Sequence, residues 1–147
     1  MKKAFKVLAM FLVVASMAAL SSCSKKDSIV GKWQYASASI EIASDIPEVQ
    51  EYVSQYQTLM NVLFADMVWE FKEDGSLVVT GSMVEEEELD EKVTYSVNGD
   101  VLTIHGGDFE EESINIDELT SKKLVLSFEE EDEDFGVMKE VLEFKRI

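Results

Sequence analysis

Disulfides have no place in this chain. Cys23 is its only cysteine, so the fold must stand on its apolar core. Histidine is as scarce: His105 is the single one, and alternation puts it on the polar side of a strand with no second histidine to share a metal. There is no H-E-x-x-H, no G-x-S-x-G and no glycine loop fit to cradle phosphate, and Gly106-Gly107 reads as a turn. A hydrolase needs two correctly spaced carboxylates, but no pair among the many here is singled out. An enzyme is therefore not expected, nor is a cofactor. Positive charge is also short, with 13 Lys and Arg against 30 Asp and Glu and a net charge of -17. That balance argues against nucleic acid and against electrostatic adhesion to anionic lipid. Proline occurs once, at Pro47, and no repeat or proline-rich linker marks a second domain.

What is present begins at the N-terminus. Lys2, Lys3 and Lys6 precede an apolar run from Val7 to Leu20, too short to cross a bilayer as a mature helix. A basic start, a short apolar stretch and small residues before a cut describe a secretory signal. Leu20-Ser21-Ser22-Cys23 resembles the bacterial lipobox, after which lipoprotein signals are cleaved. The resemblance implies that residues 1–22 are removed and that Cys23 becomes the first mature residue, with diacylglycerol on its sulfur and an acylated amine. Each buried methylene contributes ~0.8 kcal/mol, so several acyl chains hold where one would be marginal. Residues 23–28 would then be the lipidated cysteine and a short tether. Ser24 in place of aspartate resembles an outer-membrane address in the bacterial cell envelope. Losing three lysines and no acid takes the charge from -17 to -20.

Residues 29–147 read mostly with period two. Trp33 and Tyr35 alternate with Lys32 and Gln34, and Trp69 and Phe71 with Glu70 and Lys72. Leu77 and Val79 begin a strand that is expected to continue through Gly81 and Met83. Val93, Tyr95 and Val97 lead across Asn98-Gly99, a type I′ hairpin signal, to Leu102 and Ile104. Ile114 and Ile116, then Leu124, Leu126 and Phe128, then Met138, Leu142 and Phe144 complete eight strands. One segment departs: Val49, Tyr52, Val53, Tyr56, Leu59, Met60, Leu63, Phe64 and Met67 recur at spacings of three and four, one face of a helix. Pro47 suits its first turn, with Ser44 and Asp45 as capping candidates. Eight antiparallel strands with one buried face and no covering layer predict a mainly β fold. The expected form is an eight-stranded antiparallel meander barrel with one amphipathic helix between the first two strands; a two-sheet sandwich is the alternative.

Gly31-Lys32-Trp33, at the start of the first strand, resembles the GxW motif of lipocalins and related calycins. The resemblance spans roughly residues 29 to 147 and is nearest to the short lipocalin-like lipoproteins of bacterial envelopes. It implies that a basic residue from late in the barrel packs across Trp33, a role that Arg146 fits. By parity Arg146 shares the face of Leu142 and Phe144, and closure would bring the last strand beside the first.

Two candidate sites follow. Strand direction alternates in a meander, so connections alternate between ends. The helix and three long acidic segments share one end, with sixteen of the chain's 30 acidic residues. Glu86, Glu87, Asp108, Glu111, Asp132 and Asp134 on that rim could bind Ca²⁺, which takes six to eight oxygens, or meet a protein partner or cationic ligand. Solvated hairpin tips are the plainer alternative. The tether enters at the opposite end, so the rim is expected to face away from the membrane.

The interior is the second candidate. Trp33, Tyr35, Phe71, Leu77, Val97, Leu102, Leu124 and Phe144 should fill the closed end. Toward the rim, Ser37, Ser39, Gly81 and Glu140 leave room for a pocket with Tyr52, Tyr56 and Met60 as its lid, unless the helix simply plugs the barrel. The expected function is non-covalent binding of a small apolar ligand by a membrane-anchored barrel. An accessory envelope protein acting through its rim is the alternative.

Overall fold

The computed structural model describes residues 28–84, 92–107, 111–132 and 136–147. Eight strands follow in order: β1 (Gly31–Ile42), β2 (Val68–Phe71), β3 (Leu77–Thr80), β4 (Thr94–Asn98), β5 (Val101–His105), β6 (Glu111–Leu119), β7 (Lys123–Asp132) and β8 (Gly136–Arg146). One helix, α1 (Pro47–Leu63), joins β1 to β2. The strands form a single sheet in the order β3-β2-β1-β8-β7-β6-β5-β4. Every named pair is antiparallel, so the first and last strands lie side by side, as closure requires. Between β3 and β4 the ladder narrows to one bridge, Ser76 to Thr94. It is flanked by hydrogen bonds from the Leu77 N–H to Val93 O (3.0 Å) and from the Tyr95 N–H to Gly75 O (2.9 Å). The result is a nearly closed barrel.

The closed end is packed solid. Trp33, Ile29, Phe71, Leu102, Leu124 and Phe144 have essentially no exposure. Trp33 Nε1 donates to Ile29 O at 2.7 Å, which satisfies the indole where no water reaches. The Arg146 guanidinium carbon lies 4.1 Å from the Trp33 ring centroid. Its Nη1 donates to Val30 O at 2.8 Å and its Nη2 to Ser28 O. Gly31 explains the first letter of the motif. Its φ is +134°, and a Cβ there would stand 2.5 Å from Arg146 Nη1, so a side chain would meet both strain and the arginine.

Several expectations shift by a residue or more. Strict alternation carried Ser37 and Ser39 inward after Trp33 and Tyr35. The β1–β8 register slips between Tyr35 and Ser37, with Tyr35 opposite Phe144 and Ser37 opposite Glu143. This bulge inserts one extra residue and flips parity beyond it. Ala38 is buried and Ile40 half-buried, while Ser37 and Ser39 are exposed, so neither serine lines the interior. The hairpin signal at Asn98-Gly99 is off by one: Asn98 pairs with Val101, leaving Gly99 (φ +61°) and Asp100 as the turn.

β3 stops at Thr80 instead of running through Gly81 and Met83. A Cβ on Gly81 would come within 3.1 Å of Met67 Cα. Next to it the Ser82 N–H donates to the Asp66 carboxylate at 2.9 Å and the Ser82 hydroxyl donates to it as well. These bonds turn the chain and hold Asp66 below the usual carboxylate range. Gly81 is therefore a close backbone contact, not a pocket position. Conversely, β6 and β7 reach further than expected. Glu111 and Glu112 belong to β6, and Glu129 to Asp132 belong to β7, whose ladder runs out to Asp132 opposite Gly136.

α1 begins at Pro47 with Ile46 as its N-cap and no side-chain cap. Ser44 does not cap: its hydroxyl accepts from the Ile46 N–H (3.3 Å) and its carbonyl from Gln50 Nε2 (2.6 Å). The apolar face also divides. Val53 and Met60 are buried, whereas Tyr52, Tyr56 and Leu59 are exposed. A stripe that wide exceeds what one helix can press against a barrel edge.

Candidate functional site

β2 begins opposite Gln34, so the far half of β1 pairs only with β8 and would leave its other edge bare. Side chains of α1 cover it. Asn61 Oδ1 accepts from the Ala38 N–H (2.8 Å) and from the Tyr35 hydroxyl (2.8 Å), and Asn61 Nδ2 donates to Ala38 O (3.2 Å). The Ile40 N–H donates to Gln57 Oε1 at 3.3 Å. Polar side chains thus stand in for a missing strand, which solves the edge problem and fixes where the helix sits.

The space left between this helix and the open end is a cavity of about 250 Å³ lined by Ile40, Tyr52, Val53, Tyr56, Phe128, Glu130, Met138 and Glu140. Ile40 reaches it because the bulge reversed parity. Phe128 and Glu130 continue the inward row of Leu124 and Leu126, and Met138 and Glu140 share the row of Leu142 and Phe144. In register, Glu140 lies between Ile40 of β1 and Phe128 of β7.

Of the residues expected to form a pocket, Tyr52, Tyr56 and Glu140 meet here. Met60 instead belongs to the core. Ser37, Ser39 and Gly81 lie elsewhere, for the reasons given above. Reading Glu129 to Asp132 as strand would have put Glu130 in the wall; the charge density of that run hid the alternation.

The electrostatics are one-sided. Burial, then the charges of Glu130 and Glu112, push the Glu140 carboxyl up. Burial, then Glu140, push the Tyr35 hydroxyl up to about 12. Facing Glu140 are Glu130 from β7, Glu112 from β6, Tyr35 from β1, and Tyr52 and Tyr56 from α1. A carboxyl that holds its proton more tightly folded than unfolded weakens the fold as pH rises. Its contribution is complete below the ordinary glutamate range and is lost as pH climbs through the raised folded value. Glu140→Gln should therefore raise Tm at about pH 7 and leave it nearly unchanged at about pH 3, as read by calorimetry. A lower Tm at neutral pH would mean that the carboxylate has a stabilising partner.

At the rim, Glu86, Glu87, Asp108 and Asp134 lie outside the described residues, as does Cys23. Asp132 ends β7, with its side chain also outside them. Glu111 is exposed, with Oε2 3.6 Å from His105 Nδ1. Among the described residues no group of three or more His, Cys, Asp or Glu could hold a metal ion.

Comparison with curated proteins finds none that matches the chain. The family model of the lipocalin-like domain matches residues 29–126, from Ile29 at the closed end to the middle of β7. That span contains the GxW tryptophan, the helix and the hydrogen-bonded edge of β1, while β8 and Arg146, which close the barrel, follow it. The chain belongs to the lipocalin-like domain family.

Proposed function

We propose that this is an envelope-anchored binding protein that holds a small, largely apolar molecule non-covalently and performs no chemistry on it. The observation that carries the reading is the cavity beside α1. Its walls are mainly aliphatic and aromatic, the inward rows beyond it end in the buried side chains of Leu126, Leu142 and Phe144, and Tyr52 and Tyr56 stay exposed at its mouth. A helix that merely plugged the barrel would bury those rings. At about 250 Å³ the cavity falls just under the usual range for drug-sized ligands, roughly 300 Å³ upward, so the ligand is small. The anchor rests on the basic start, the apolar run and the Leu20–Cys23 tetrapeptide. Ser28 meets Arg146 at the closed end, so a tether there leaves the cavity turned away from the membrane.

One sample tests both halves: the protein as its own host processes it, extracted in detergent from the membranes. Under denaturing conditions its mass should lack residues 1–22 and carry acyl groups on Cys23. Under native conditions a single small-molecule mass should ride on the lipidated chain. An unmodified Cys23 would overturn the anchor. A bare native mass, with no uptake of a neutral aromatic alcohol, would overturn the cavity as a binding site.

A further inference from the structure

We infer that the molecule held in this cavity is an organic cation: a compact apolar or aromatic body bearing a protonated amine. The inference rests on the reading of the cavity as a binding site and adds the charge of its occupant. Its walls combine apolar surface from Ile40, Val53, Phe128 and Met138 with two carboxylates, Glu130 and Glu140, and two phenols. Among the described residues no lysine or arginine lines it. Lys139, next to Glu140 in sequence, is engaged with Asp117 at 3.6 Å, and Lys123 and Arg146 lie at the opposite, closed end of the β7–β8 ladder.

Four ligand classes can be ranked on that wall. A fatty-acid-like anion would bring a further negative charge against Glu130 and Glu140, with Glu112 close enough to act on Glu140 as well; like charges repel, most at half-buried Glu140 and less at exposed Glu130. A bare divalent ion such as Ca²⁺ wants six to eight oxygens, whereas most of this wall is hydrocarbon. A neutral apolar molecule would fill the volume but leave Glu140, half-buried and surrounded by other acids, uncompensated. An ammonium on an apolar body satisfies both features at once, and Tyr52, Tyr56 and Phe128 add ring surface that attracts cations. Burial first, and then Glu130 and Glu112, push the Glu140 carboxyl up, a shift that a bound ammonium would oppose.

Three isosteric probes separate charge from shape: naphthylmethylamine, naphthylmethanol and naphthoic acid, titrated calorimetrically into the folded protein at neutral pH and low salt. The amine should bind about tenfold more tightly than the alcohol, the low end for a charge-assisted hydrogen bond because the cavity is open to solvent. The acid should bind most weakly. In Glu140→Gln and in Glu130→Gln the amine should fall toward the alcohol, with the alcohol itself unmoved. Alcohol binding with no advantage for the amine would overturn the cation while leaving the cavity reading intact. Failure of all three probes would overturn both. An amine preference that survives the double Gln variant would place the cation elsewhere and overturn the assignment.

Discussion

Trp33→Ala should cost about 3–5 kcal/mol, the range for emptying a fully buried large aromatic site. Against a total stability of roughly 5–15 kcal/mol for an ordinary domain, that is enough to leave the variant marginal. Three losses coincide. The ring has no exposed surface, so its removal opens a cavity in the solid end of the barrel. Ile29 O loses the indole donor at 2.7 Å. The Arg146 guanidinium loses the face on which it rests at 4.1 Å. Urea unfolding followed by Trp69 fluorescence reads the effect as a lower midpoint at unchanged slope. Arg146→Met is the control: it keeps much of the apolar stem but removes the donors to Val30 O and Ser28 O. It should cost less than Trp33→Ala. A loss from Trp33→Ala below about 1.5 kcal/mol, well under that range, would mean that the closed end is not packed around the tryptophan.

Asn61→Ala is expected to have the second largest effect, about 2–4 kcal/mol, since each buried polar group left without its partner costs roughly 1–3 kcal/mol. One amide serves three groups: the Ala38 N–H, the Ala38 carbonyl and the hydroxyl of Tyr35, itself only 5 % exposed. The damage should be local before it is global. Hydrogen exchange in α1 should quicken more than in β7 or β8, since only Val53 and Met60 of the helix are buried. Because α1 supplies Tyr52, Val53 and Tyr56 to the cavity, affinity for the naphthyl probes should fall with helix protection. Unchanged exchange across α1 would show that apolar packing alone docks the helix.

The two sites chosen for these tests differ in how far they could be read from the chain. Gly31, Trp33 and Arg146 were legible together. A motif names the first two, and the period-two rows of a meander bring the last strand beside the first. Asn61 and Gln57 were invisible, because within an apolar helix face two amides read as interruptions. Their role exists only once a β1 edge lies beside them without a strand of its own. Glu130 was masked in a similar way by an acidic run that looks like a solvated tip.

Strand and helix identity, the order of the meander and the solid end around Trp33 follow from short-range periodicity, since the pattern of each segment already says which face must leave water. The direction in which Ser37, Ser39 and Ile40 point does not. It depends on one extra residue in β1, and the local sequence carries no mark of where that residue is absorbed. The bulge lies where Tyr35 pairs with Phe144 and Ser37 with Glu143, a register fixed by β8 more than a hundred residues away. The cavity wall is therefore a product of long-range pairing: parity is local until a bulge breaks it, and only the partner strand decides where that happens.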